Sequence, residues 1–84
     1  MSVVKFYTTD NCPYCRSAKA LLDARKIEYQ ELNLERSPEM REQLQELTGM
    51  STFPQILVND EPIGGFQELV AADRSGRLAE LLGA

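Results

Sequence analysis

At 84 residues the chain is too short for more than one core, so residues 1–84 are expected to form a single domain. Hydrophobic residues at 43% and charged residues at 26% are ordinary for a soluble globular protein. Thirteen acidic against nine basic residues give a net charge of −4, which excludes the basic face that nucleic acid requires.

The first ten residues begin apolar but contain Lys5 and turn polar by Thr8. That is too short for a signal peptide or a membrane span, so a cytoplasmic location with no membrane partner is expected. Residues 3–7 are β-branched and aromatic and read as a strand. From Pro13 the period changes. Tyr14, Ala18, Leu21 and Leu22 fall at i, i+4, i+7 and i+8, the apolar stripe of a helix that fades near Lys26. Pro13 suits the first turn, where its missing N–H is no loss. Residues 28–34 form a second predicted strand. Ser37 as N-cap and Pro38 at the first helical position open a second helix, with Met40, Leu44 and Leu47 as its apolar face and Gly49 as its stop. Residues 56–58 are a third strand, Asn59-Asp60 a tight turn, and Pro62-Ile63 a short returning strand. After Gly64-Gly65, the residues Phe66, Leu69 and Val70 open a third helix, and Leu78, Leu81 and Leu82 supply a last amphipathic turn. Strands separated by helices pair in parallel through right-handed crossovers, and the late hairpin adds an antiparallel edge. The fold class is therefore α/β: a four-stranded mixed sheet flanked by helices on both faces. The acidic residues that crowd between Glu28 and Glu46 read as a solvated surface.

The chain has two cysteines and no histidine. A reducing compartment disfavours a structural disulfide, and two cysteines three apart close too small a loop to constrain the unfolded chain. A zinc site needs about four ligands, so one molecule cannot supply one and no metal is expected. Redox chemistry remains. Cys12-Pro13-Tyr14-Cys15 is a C-x-x-C after a strand and at the opening of a helix. A helix N-terminus offers free N–H groups and about half a positive charge, both of which favour a thiolate over a thiol. Arg16 and Lys19 follow on the same side of the helix and are expected to add to that field, with Asp10 opposing it. Cys12, at the exposed tip, is the expected nucleophile, and Cys15, one turn further in, the resolving thiol.

Thr52-Phe53-Pro54 precedes the third strand. Pro54 is either a plain strand start or a cis-proline that turns the Phe53 backbone outward to pair with an extended substrate. Gly64-Gly65 is either a loop or a place where a ligand carboxylate approaches the N–H groups of the following helix.

Together these residues resemble a glutaredoxin of the dithiol type over nearly the whole chain. Cys12-Pro13-Tyr14-Cys15 matches the family's dithiol motif, Thr52-Phe53-Pro54 its Thr-Val-Pro element, and Gly64-Gly65 its paired glycines. The resemblance implies a thioredoxin-like fold with Pro54 in the cis form and glutathione in a groove. Cys12 would meet its sulfur, Phe53 would pair with its cysteinyl backbone, and Phe66 and Gln67 would receive its γ-glutamyl carboxylate. Tyr14, Thr52, Pro54 and Gly65 would complete the lining. The chain departs from the family pattern in three respects: Thr9 stands where a lysine is usual, Met50 where a basic or amide side chain is usual, and Gln67-Glu68 replaces an acidic pair. These changes imply weaker glutathione binding with the thiol chemistry intact.

The implied activity is a glutathione-dependent reduction of protein disulfides and of protein–glutathione mixed disulfides. Glutathione is the co-substrate, no cofactor is tightly bound, and a monomer is expected. Two alternatives stand beside it. One is a redoxin reduced by thioredoxin reductase that feeds an enzyme such as ribonucleotide reductase. The other is an iron–sulfur carrier bridged by a cluster, against which Pro13 argues.

Overall fold

The computed structural model describes residues 3–83; Met1, Ser2 and Ala84, which belong to the expected domain, lie outside the described residues. Elements follow the order β1 (Val4–Thr8), α1 (Pro13–Ala24), β2 (Gln30–Asn33), α2 (Pro38–Thr48), β3 (Gln55–Val58), β4 (Glu61–Gly64), α3 (Phe66–Ser75) and α4 (Arg77–Leu81). The sheet order is β2-β1-β3-β4, with β1 parallel to β2 and antiparallel to β3, and β3 antiparallel to β4. This is the mixed four-stranded sheet of a thioredoxin-like fold.

The period-2 rule explains how the sheet acquires two covered faces. Val4 and Phe6 of β1 share one face with Ile56 and Val58 of β3, packed against Cys15, Ala18 and Leu22 of α1, Leu69 and Ala72 of α3, and Leu78 of α4. Leu57 points the other way and packs with Leu34 and with Leu44 of α2. Central β3 is buried along its full length because helices cover both its sides.

Three expectations are corrected in detail. Tyr14 does not belong to the buried stripe of α1. It is 61% exposed, and Cys15, Ala18 and Leu22 are the inward positions. On α2 only Leu44 of the expected apolar face is buried; Met40 and Leu47 are exposed. The inward row is instead Ser37, Arg41, Leu44 and Thr48, at the same helical spacing but rotated. The second strand is shorter than residues 28–34, with Tyr29 diverted inward to stack against Phe6 at 5.6 Å between ring centroids. Ser37 holds the N-cap position without a side-chain bond, so Pro38 and the Arg41 N–H to Ser37 carbonyl bond at 3.0 Å start the helix. The Asn59-Asp60 turn has both residues left-handed, at φ 51° and 67°, the geometry of a two-residue hairpin.

One ion pair ties the C-terminal end of α1 to α3. Arg25 grips Asp73 with two parallel bonds, Nε to Oδ1 and Nη2 to Oδ2, both 2.9 Å. The guanidinium holds the Asp73 carboxyl below its ordinary value of 3.8. A depressed folded-state value means the contribution is present above the ordinary carboxylate range and is lost as the pH falls through the lowered value. Asp73→Asn is therefore expected to lower the melting temperature at pH 7, with the gap to wild type closing as the pH drops below 3.8. A gap that persists undiminished under acid would assign the loss to packing instead.

Candidate active site

β1 delivers the chain to the C-terminal edge of the sheet, and Asn11, left-handed at φ 53°, turns it into α1. Cys12 is the N-cap of that helix. Its sulfur accepts the Cys15 N–H at 3.2 Å, the position that serine or aspartate usually fills with oxygen. Cys12 and Cys15 are joined as a disulfide; Cys12 is half-buried and Cys15 only 2% exposed. The unequal exposure means that an incoming sulfur reaches Cys12 first.

The second wall comes from the loop before β3. The Phe53–Pro54 peptide is cis, and the Phe53 carbonyl oxygen lies 3.8 Å from Cys12 Sγ. A third wall is the start of α3. An open groove of about 240 Å³ runs between these walls, lined by Tyr14, Thr52, Phe53, Pro54, Gly65, Phe66 and Gln67 together with Met50 and Glu68. Every groove residue expected from the sequence is thus gathered around one cleft beside Cys12. The Tyr14 and Phe66 rings face each other across it at 5.9 Å between centroids.

The electrostatics differ from expectation in two places. Lys19 does not act freely on the thiol. Its Nζ lies 3.0 Å from Glu31 Oε2, whose hydrogen bond holds the ammonium above its ordinary value and absorbs its charge locally. Asp10 is held by Asn33 Nδ2, which donates to it at 3.0 Å but brings no charge to offset the carboxylate's. Of the expected contributors, the helix terminus with its free N–H groups and Arg16, which lines the same cavity as Cys12, remain to favour the thiolate. Thr9 lies outside the groove. It lines a separate cavity of about 180 Å³ with Asn11, Cys12, Arg16, Lys19 and Glu31, whereas Met50 lines the groove itself.

Glu68 acquires a defined role. Its Oε1 accepts the Gly65 N–H at 2.7 Å, half of a capping box whose other half a glycine cannot supply. With the Gly65 N–H taken, the N–H groups of Phe66, Gln67 and Glu68, all groove-lining residues, are the ones the helix start leaves without an intrahelical partner. The Gly-x-x-Glu spacing carries this signal in the sequence. Among the described residues, no three His, Cys, Asp or Glu side chains cluster as a metal site, and no helix is long and apolar enough to cross a membrane.

A redox-active cysteine pair capping the first helix of a thioredoxin-like sheet, opposite a cis-proline loop, defines a thiol–disulfide oxidoreductase. Sequence comparison makes the class specific. The family profile of glutaredoxin matches residues 4–63. Glutaredoxin 3 of Escherichia coli (strain K12) is 40% identical over 82 residues, 98% of this chain and 99% of that protein. A glutaredoxin of Pseudomonas aeruginosa is 40% identical over 84 residues, the full length of both. Among solved structures, the glutaredoxin of Brucella melitensis aligns with a TM-score of 0.83 at 41% identity, covering 95% of this chain and 87% of that one. A buckwheat glutaredoxin–glutathione complex aligns with a TM-score of 0.88 at 25% identity, covering 98% and 77%. The chain belongs to the glutaredoxin family.

Proposed function

We propose that the protein reduces protein disulfides and protein–glutathione mixed disulfides with electrons from glutathione. The observation that carries this reading is the groove. Its Phe53 wall stands 3.8 Å from Cys12 Sγ and its far wall is the start of α3 at Phe66 and Gln67, which would put an attacking sulfur at one end and a carboxylate seat at the other. The Phe53 carbonyl, 3.8 Å from Cys12 Sγ, belongs to the backbone that would pair with an extended peptide. A family neighbour whose structure is described as a glutathione complex supports the same occupant.

In the mixed-disulfide reaction the Cys12 thiolate attacks the glutathione sulfur, and the substrate protein leaves as a thiolate that takes a proton from water. A second glutathione thiolate then attacks the Cys12-bound sulfur, releasing glutathione disulfide and the free Cys12 thiolate. In the protein-disulfide reaction Cys12 forms a bond to one substrate sulfur and expels the other. The Cys15 thiolate then attacks Cys12, releases the substrate as a dithiol and closes the Cys12–Cys15 bond, which two glutathiones reopen. Tyr14, Thr52, Pro54 and Gly65 shape the groove, and no tightly bound cofactor takes part. The protein acts as a monomer in the cytoplasm on disulfide-bonded or glutathionylated proteins, without nucleic acid or membrane partners.

The deciding experiment reduces the oxidised protein with glutathione and, in parallel, with thioredoxin reductase. Faster reduction by glutathione is expected; faster turnover by the reductase overturns the reading. The groove also makes a charge prediction. Met50 offers no cation where it lines the cleft, so Met50→Arg is expected to lower KM for a glutathionylated peptide about fivefold, an effect that shrinks at high salt. Thr9→Lys, facing the other cavity, is expected to change KM by less than twofold. Equal effects from the two variants would mean that the glycyl end of glutathione lies across Cys12 instead.

A further inference from the structure

The loop that forms the second wall of the groove is held by an unusual device. Among the described residues, no backbone-to-backbone hydrogen bond outside helices and strands involves residues 50–54. A side chain does the work instead. Gln55, the first residue of β3, is 2% exposed and turns its amide back under the loop. Its Nε2 donates to the Met50 carbonyl at 3.0 Å and to the Thr52 carbonyl at 2.9 Å. Its Oε1 accepts the Thr48 hydroxyl at 2.8 Å, the shortest of three acceptor contacts around that hydroxyl. The same hydroxyl accepts the Met50 N–H at 3.1 Å.

We propose that Gln55, braced by Thr48, is a positioning residue that aims the Thr52–Phe53 backbone at the substrate groove. Both amide hydrogens and the carbonyl oxygen of Gln55 are used, and their partners alternate along the loop. Drawing the Met50 and Thr52 carbonyls inward leaves the Phe53 peptide group facing outward, beside Cys12 Sγ. A buried amide with both donors committed has no alternative partners, so the loop has one conformation to offer. Loop order thus comes from two side chains seven residues apart.

The proposal rests on the reading of the cleft as the substrate site, and the test separates the two. Gln55→Met keeps the side-chain volume and removes both donors and the acceptor. KM for a glutathionylated peptide should rise about tenfold while kcat changes less than twofold. The rate at which iodoacetamide alkylates reduced Cys12 should stay the same, because that small reagent needs no groove. Amide hydrogen exchange at residues 50–53 should speed up about tenfold. Gln55→Glu, which keeps the acceptor but turns a carboxylate oxygen toward the Met50 and Thr52 carbonyls, should disturb the loop at least as much as Gln55→Met. Thr48→Ser should stay within twofold of wild type, and Thr48→Val should raise KM severalfold. These two Thr48 variants decide the matter should Gln55→Met fail to fold. Unchanged loop exchange in Gln55→Met overturns the proposal whatever the substrate proves to be. A uniform fall in kcat, alkylation and kcat/KM also overturns it, by assigning Gln55 to general stability. Wild-type protein inactive on the glutathionylated peptide overturns the substrate reading, and the exchange data then judge the loop alone.

Discussion

Cys12→Ser is expected to lower both mixed-disulfide and protein-disulfide reduction by on the order of a thousandfold or more, because a serine hydroxyl is not ionised at neutral pH and cannot replace the thiolate. Cys15→Ser is expected to retain mixed-disulfide reduction within a few fold and to lose at least tenfold on protein disulfides. The asymmetry follows from position. Cys12 caps α1 and is half-buried, whereas Cys15 is 2% exposed and reaches only what Cys12 has already bound. A glutathionylated peptide and insulin, assayed side by side with the two variants, separate the roles. Appreciable activity of Cys12→Ser in either assay, or equal loss in both for Cys15→Ser, would falsify the assignment.

Gly64→Ala is expected to cost about 3 kcal/mol of stability, the sum of a backbone conformation closed to side chains and an overpacked contact. Gly64 has φ +125°, and a methyl there would stand 2.7 Å from Glu68 Cγ and 2.8 Å from Glu68 Cβ. Glu68 Cβ is fixed by α3 and cannot swing away, so either the strand end or the helix start must shift. For a domain of this size the melting temperature should fall by roughly 10–20 °C. The shift should also loosen the Gly65 N–H to Glu68 bond and raise KM, since Gly65, Phe66 and Gln67 line the groove. Gly49→Ala is the control. Gly49 is left-handed at φ +76°, but a methyl there would meet nothing within 4 Å, so only the conformational cost of about 1 kcal/mol applies. Equal losses from the two substitutions would mean that the contact with Glu68 contributes nothing.

Much of the fold is readable from periodicity because each element carries its own pattern and punctuation. Pro13, Pro38 and Gly49 mark helix ends, and the Asn59-Asp60 turn joins β3 to β4. Cys12 and Cys15 stand out because their spacing and their strand–helix setting are local facts. What sequence hides is partnership across the chain. Lys19 looks like a free cation beside Cys12 until β2 brings Glu31 to it from twelve residues away. Tyr14 fits the apolar period of α1, yet it sits in the first turn and stays exposed, its ring against Phe66 across the groove. Met40 and Leu47 mislead for a related reason: α2 touches the sheet along a narrow row centred on Leu44, and apolar residues beside that row stay in solvent. Gln55 lies outside the predicted strand 56–58, and nothing in its neighbours announces that it opens β3 with its amide buried.

The outer strands of the sheet bear on how such a protein handles its clients. Both are poor templates for a fifth strand. β4 places Pro62, which has no N–H to give, among four residues, and β2 exposes Gln30, Glu31 and Asn33. A reductase that meets partly unfolded chains risks recruiting them edge to edge into an intermolecular sheet, the first step toward aggregation. On the proposed reading an extended client pairs instead with the Thr52–Phe53 loop beside the thiol, short enough to hold a few residues and too short to seed a growing ladder. On that reading, contact with a client would be confined to the place where its disulfide can be exchanged and released.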